Sequence, residues 1–180
     1  GWLGANGSHT LDQLRVWLGP FASVSAALLT TAESDREVED AYSVRFTMRS
    51  GTEVVLQQVG AAWTDRGFVA VTGTRGTVGI DRGDAWIADA EGTRPLEAPA
   101  GSASGGGSVD GDDLDALGGY EQRHYEQLGA SFRAAIEGRV ARDAPVALPT
   151  FADGLAVMRC IDAMRASAAA GGQLQTIDGG

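Results

Sequence analysis

Two histidines occur in these 180 residues, His9 and His124, and the first lies in the stretch GSHTLDQLRVWLG at 7–19. An imidazole exchanges a proton near neutral pH, so His9 is the residue of this stretch best suited to acid–base work. Asp12 follows one turn later on the same side of the predicted helix and places a carboxylate beside it. Ser8 is expected to be the N-cap, its side-chain oxygen accepting a free amide of the first turn. His9 then falls in that first turn, where the helix macrodipole disfavours the imidazolium. The competing reading is a capping or surface histidine, because no second catalytic group is visible in the motif. His124 opens a later helix and reads as a surface or capping residue.

The composition narrows the chemistry further. All 14 basic residues are arginine, so Schiff-base, lysine-base and phosphate-loop chemistry are excluded within the chain. A single cysteine, Cys160, excludes an internal disulfide, and two well-separated histidines give no Cys/His cluster for zinc. The acidic run DGDD at 110–113 lacks the full spacing of a calcium loop with its closing glutamate, and reads as a solvated loop. No metal site is expected. With 24 acidic residues against 14 basic ones and a net charge of −10, the chain repels a phosphate backbone, and no nucleic acid is expected as a partner. No apolar run approaches the roughly 18 residues needed to span a bilayer, so no membrane is expected either. The cytoplasm is the default location. The chain opens Gly1-Trp2-Leu3, with neither a methionine nor a basic-then-apolar leader. We expect an N-terminal portion of the protein to precede it.

The elements that must position His9 follow from the periodicities. Trp2 to Asn6 is glycine-rich and is expected to be an irregular approach. Leu11, Leu14 and Leu18 then lay one apolar stripe along the helix, which Gly19-Pro20 stops. A strand is expected over Ser23 to Thr31. The clearest strand is Ala41 to Arg49, with Tyr42, Val44, Phe46 and Met48 pointing one way and Ser43, Arg45, Thr47 and Arg49 the other. Ser50-Gly51 should turn it into a partner over Thr52 to Val59. Further strands are expected over Gly67 to Thr72, Thr77 to Ile80, Ala85 to Ala88 and Thr93 to Glu97, joined by turns too short for parallel crossovers.

Residues 99–119 are glycine, serine and aspartate with little to bury, and read as a flexible connector. Helical spacing then returns in Tyr125, Leu128, Phe132 and Ile136, ending near Gly138. A last helix should open at Thr150, with Asp153 in the capping-box position, carry Leu155, Met158, Ile161 and Met164, and stop at Gly171-Gly172. The fold class expected is α+β, a mostly antiparallel sheet with helices packed on one face. The open face is then wet or paired with another protein. Length fits a single domain over 1–180.

The order of motifs GxxGSHxxDxLRxxLG, VRFTMRSGTEVVL, GTRGTVGI, SFRAAIEG and FADGLAVMRCIDAMRASAAAGG resembles the C-terminal domain of the Gfo/Idh/MocA oxidoreductases, the family of glucose–fructose oxidoreductase and inositol dehydrogenase. The resemblance covers nearly all of the chain outside 99–119. It implies an NAD- or NADP-dependent enzyme acting on a sugar, cyclitol or polyol, with the cofactor bound mainly by a preceding Rossmann domain. That domain, with its GxGxxG fingerprint, is not in this sequence, and neither is the family's Glu-Lys-Pro motif.

By the same resemblance His9 is similar to the family's proton-transfer residue, and Asp12 matches its second acidic position, in a substrate-binding or a structural role. The family often has aspartate four residues before the histidine; this chain has Ala5 there, beside Asn6, whose amide could hold a substrate hydroxyl. No cofactor-binding residue is assigned within the chain, which alone is expected to be inactive. The partners implied are a small sugar or polyol and further copies of the chain, a homo-oligomer through the open sheet face. The alternative is a non-catalytic binding or oligomerisation module, a degenerate relative of that family.

Overall fold

The computed structural model describes residues 1–31, 38–64, 67–81, 84–97, 125–126, 128–139 and 148–178. They form two compact units, residues 1–63 with 149–180 and residues 64–148. Helices α1 (Ser8–Leu18) and α3 (Phe151–Ala169) belong to the first unit, with strands β1 (Phe21–Leu29), β2 (Ala41–Met48), β3 (Glu53–Val59) and β8 (Gln175–Thr176). The second unit holds β4 (Phe68–Gly73), β5 (Gly76–Asp81), β6 (Asp84–Asp89) and β7 (Gly92–Pro95), and helical residues at 125–126 and 128–136, here α2. The fold is α+β, with every strand pair among the described residues antiparallel.

The strands expected as one run divide between two sheets, ordered β3-β2-β1-β8 and β4-β5-β6-β7. In the first, the period of two in β2 does what the sequence says. Tyr42, Val44, Phe46 and Met48 are buried, while Arg45 is exposed and Ser43 and Thr47 are half-buried. The inward face meets Leu11 and Leu14 of α1 and Val157, Cys160, Ile161 and Met164 of α3 in one core. Both helices therefore cover the same face of that sheet.

Strand β1 begins two residues earlier than its pattern suggests. The register shifts between Phe21 and Ser23, so Phe21 and Val24 both face inward despite their odd spacing. Phe21 reaches the Phe46 ring at a centroid distance of 4.7 Å. The Ser50-Gly51 turn forms as expected, Gly51 supplying a φ of 86° and donating its N–H to the Met48 carbonyl at 2.9 Å.

Helix α3 has the expected start, a capping box in which Thr150 accepts the Asp153 N–H and Asp153 accepts the Thr150 N–H. Its buried face differs from expectation. Leu155 and Met158 are about half exposed, and Ala156, Val157, Cys160, Ile161, Met164 and Ser167 face the sheet instead. Small residues let the helix lie close to β1, and there the Ser167 Oγ accepts the Ala26 N–H at 2.9 Å and donates to the Gln173 carbonyl at 2.7 Å. That serine serves a stretch of β1 beyond the two-residue β8, whose ladder reaches only Ser23 and Val24. Burial pushes the Cys160 thiol up to about 12, so it is an inert core residue.

The second unit is a four-stranded meander. Arg94 grips Asp89 with two nitrogens, at 2.8 and 2.6 Å, and holds its carboxyl well below the usual carboxylate range. The α2 residues Tyr125, Leu128, Phe132 and Ile136 are helical as expected, and all four are exposed. Residues 99–119, the DGDD run and His124 lie outside the described residues.

Candidate functional site

Helix α1 does not start as the sequence suggests. The backbone is already helical from Leu3 to Gly7, a π-helical turn that runs directly into α1. Ser8 is therefore not an N-cap: Gly7, in right-handed helical conformation, precedes it without any side-chain cap. The Ser8 hydroxyl instead donates back to the Gly4 carbonyl at 2.9 Å. The approach from Trp2 to Asn6 is thus ordered rather than irregular, and His9 sits inside a continuous helical stretch, away from the free amides of a helix start. Single π turns within helices recur at functional sites.

Two packing contacts fix this turn. A Cβ at Gly7 would lie 2.9 Å from Leu3 Cδ1 and 3.0 Å from the Tyr42 hydroxyl oxygen, so only glycine lets the turn press onto β2. The Tyr42 hydroxyl, fully buried, donates to Gln58 Oε1, and Gln58 Nε2 donates to Thr10 Oγ1 at 3.0 Å. A polar chain from β2 through β3 thus ends on the residue next to His9. Burial outweighs the Thr10 hydrogen bond and pushes the Tyr42 hydroxyl up to about 12, so Tyr42 acts as a neutral donor and not as a base.

His9 and Asp12 line one cleft of about 460 Å³ whose other wall is the start of α3. Pro149, Thr150, Phe151, Asp153, Leu155 and Met158 contribute there. The side chain of His9 is exposed and that of Asp12 half-buried. Phe151 is fully exposed, and with Leu155 and Met158 it gives that wall an apolar surface. The arrangement is an imidazole and a carboxylate facing a largely apolar wall, suited to a small ligand with hydroxyls on one side and carbon on the other. Asn6 is half-buried on the π turn and does not line this cleft. The structure brings two of the three expected site residues together.

Sequence reasoning missed Phe151 and the pairing of Arg15 with Asp153, which joins α1 to α3 beside the cleft. The FADG and LR motifs carried both residues, but only the packing of the two helices brings them together. Among the described residues no three His, Cys, Asp or Glu side chains cluster as a metal site. None of the described helices is long and apolar enough to cross a membrane. A second, more open groove of about 470 Å³ lies along α3 at Arg159, Asp162, Gln175 and Asp178, and holds no imidazole.

The chain matches the family described as "Oxidoreductase family, C-terminal alpha/beta domain" over residues 1–176. No curated protein matches it significantly. Among solved structures it is similar to levoglucosan dehydrogenase in complex with NADH and levoglucosan, at 22% identity and a TM-score of 0.72, over 99% of this chain and 50% of that one. It is similar to an oxidoreductase from Agrobacterium radiobacter in complex with NAD+, L-tartaric acid and magnesium, at 17% identity and a TM-score of 0.70, over 96% and 48%. An oxidoreductase domain protein from Kribbella flavida gives 22% identity and a TM-score of 0.71 over 99% and 50%. At these identities the likeness establishes the fold. The chain spans about half the length of these proteins.

Proposed function

The chain belongs to the Gfo/Idh/MocA oxidoreductase family, and on that premise we propose that it is the substrate-binding and assembly domain of an NAD- or NADP-dependent dehydrogenase of a sugar, cyclitol or polyol. The observation that carries this reading is the cleft in which His9 and Asp12 face Phe151 and Leu155. Support for the ligand class comes from the structural neighbours crystallised with levoglucosan and with L-sorbose, both beside NADH. Among the described residues no glycine-rich loop links a strand to a helix N-terminus in the manner of a dinucleotide cradle. The chain also lacks every lysine. On the family premise we assign the cofactor to a Rossmann domain elsewhere in the protein, and this chain to the substrate.

Oxidation of a carbinol carbon sends a hydride to the nicotinamide and leaves a hydroxyl proton for the protein to accept. His9, exposed in the cleft, takes that proton on its ring nitrogen, and the carbonyl forms as the O–H bond breaks. Asp12 accepts a hydrogen bond from a neighbouring hydroxyl and orients the ring, while Asn6, outside the cleft, is given no part in it. Phe151 and Leu155 offer an apolar surface to the carbon face of the substrate. Ala5 stands where the family often has aspartate, so proton acceptance rests on His9.

The test is His9→Ala in the full-length protein. Maximal rate should fall by about 10²- to 10⁴-fold, the usual worth of a positioned general base, with cofactor affinity nearly unchanged. Near-normal turnover per folded molecule would remove His9 from the chemistry and favour the alternative, a binding or oligomerisation module without activity.

A further inference from the structure

Asp153 stands in the wall of the cleft, and both of its carboxylate oxygens are committed. Oδ2 accepts the Thr150 N–H and the Thr150 hydroxyl, each at 2.7 Å, and Oδ1 accepts from Nη2 of Arg15. One carboxylate therefore closes the first turn of α3 and ties that turn to α1. Arg15 lies one turn after Asp12 on α1, rotated away from His9 and outside the cleft lining, so it meets Asp153 beside the His9–Asp12 wall rather than within it.

The pair is partly buried, with side-chain exposures of 19% for Arg15 and 29% for Asp153. Exposed ion pairs contribute little, but a charge-assisted bond withdrawn from solvent is costly to break from one side, because the remaining charge keeps its desolvation penalty. The two walls of the cleft are carried by different helices, far apart in sequence. His9 and Asp12 ride on α1; Phe151 and Leu155 ride on the turn that Asp153 caps.

We propose that Arg15 and Asp153 form a positioning pair that sets the spacing between the His9–Asp12 wall and the Phe151–Leu155 wall, and thereby the fit of the substrate. The proposal rests on the polyol reading of this cleft for its substrate half; its mechanical half stands on the geometry alone. Asp153 is excluded as a base by its three hydrogen bonds, and Arg15 touches no cleft surface, so neither is a catalytic residue.

The experiment uses the full-length protein with two readouts. Arg15→Met keeps the aliphatic stem and leaves the capping box intact, while Arg15→Lys keeps a cation, sufficient where a single nitrogen makes the bond. With Arg15→Met the KM for the polyol should rise by about tenfold to a hundredfold, with kcat changed much less, and Arg15→Lys should recover most of the loss. A merely structural role would lower the thermal midpoint and leave KM per folded molecule in place; that result overturns the proposal.

The second readout needs no turnover. Nitroxides at Gln13→Cys and Ala152→Cys, both exposed positions, report the α1–α3 spacing, and Cys160, at 0% exposure, stays unlabelled. The distance distribution should broaden in Arg15→Met and narrow again in Arg15→Lys. An unchanged distribution overturns the proposal whatever the kinetics show. If the parent protein oxidises no polyol, the polyol reading falls and takes the substrate half with it, while the spin distances still decide the mechanical half. Should Arg15→Met fail to fold, Asp153→Asn is carried through the same two readouts.

Discussion

Gly7 presses against Tyr42 so closely that a Cβ at position 7 would come within 3.0 Å of the Tyr42 hydroxyl oxygen. The ring cannot yield, because it is fully buried and its hydroxyl is bonded to Gln58. Gly7→Ala should therefore destabilise the chain by about 1–3 kcal/mol, the usual cost of overpacking a tight contact. Denaturant unfolding of the two proteins measures it. A small-to-large change at Gly4, where a Cβ would meet nothing within 4 Å, is the control and should cost far less.

Tyr42 also gives the protein an alkaline limit. Its hydroxyl is pushed from 10.0 up to about 12 by burial. Between those values the unfolded chain has released this proton and the folded chain keeps it, so rising pH favours unfolding and the folded state loses stability. The contribution of Tyr42 is complete below pH 10 and is lost on the way to about 12, at roughly 1.4 kcal/mol per pH unit within that window. Unfolding free energies measured across it should fall with pH in the parent and lose that part of the slope in Tyr42→Phe.

Ser167→Ala removes two partners at once. The Ala26 N–H and the Gln173 carbonyl, served by the Ser167 hydroxyl at 2.9 and 2.7 Å, would be left unpaired. A loss of about 1–3 kcal/mol is expected, the range for stranding a buried polar group. Hydrogen exchange should show the Ala26 amide losing protection before the amides of the β1–β2 ladder, which keep their partners.

The outer face of the first sheet is the surface we assign to assembly. Arg45 and Thr47 meet Glu53 there, at 2.8 Å each, and Val55 beside them is 84% exposed. The Thr47 hydroxyl, and after it Arg45, hold the Glu53 carboxyl below its ordinary range. Light scattering of the full-length protein should report an oligomer at micromolar concentration, and Val55→Asp should dissociate it. A stable interface buries more than about 1,000 Å², which a new charge at its centre disrupts. A monomeric parent protein would refute the assignment.

How much of this was legible in the residues differs from element to element, and the reason is local. The alternation in β2, the turn at Ser50-Gly51 and the capping box at Thr150 and Asp153 depend on neighbours within a few positions, so their spacing alone determined them. The α+β class followed from the same signals. The start of β1 was hidden because the irregularity between Phe21 and Ser23 breaks the period of two, and only pairing with β2 restores it. The approach to His9 read as irregular for its glycines, yet Gly7 is there to let a π turn touch Tyr42, a contact between residues 35 positions apart.

Tertiary packing decided the faces and the site. By size, Leu155 and Met158 belong in a core, but the sheet takes the face that carries Val157, Cys160, Ile161 and Met164, and Ser167 is buried there while Leu155 and Met158 are not. His9 and Asp12 were visible from residue type and helical spacing, because both lie on one helix. Their cleft was not, since its second wall and the Arg15–Asp153 tie come from a segment nearly 140 residues away, and no local period records which helices will meet.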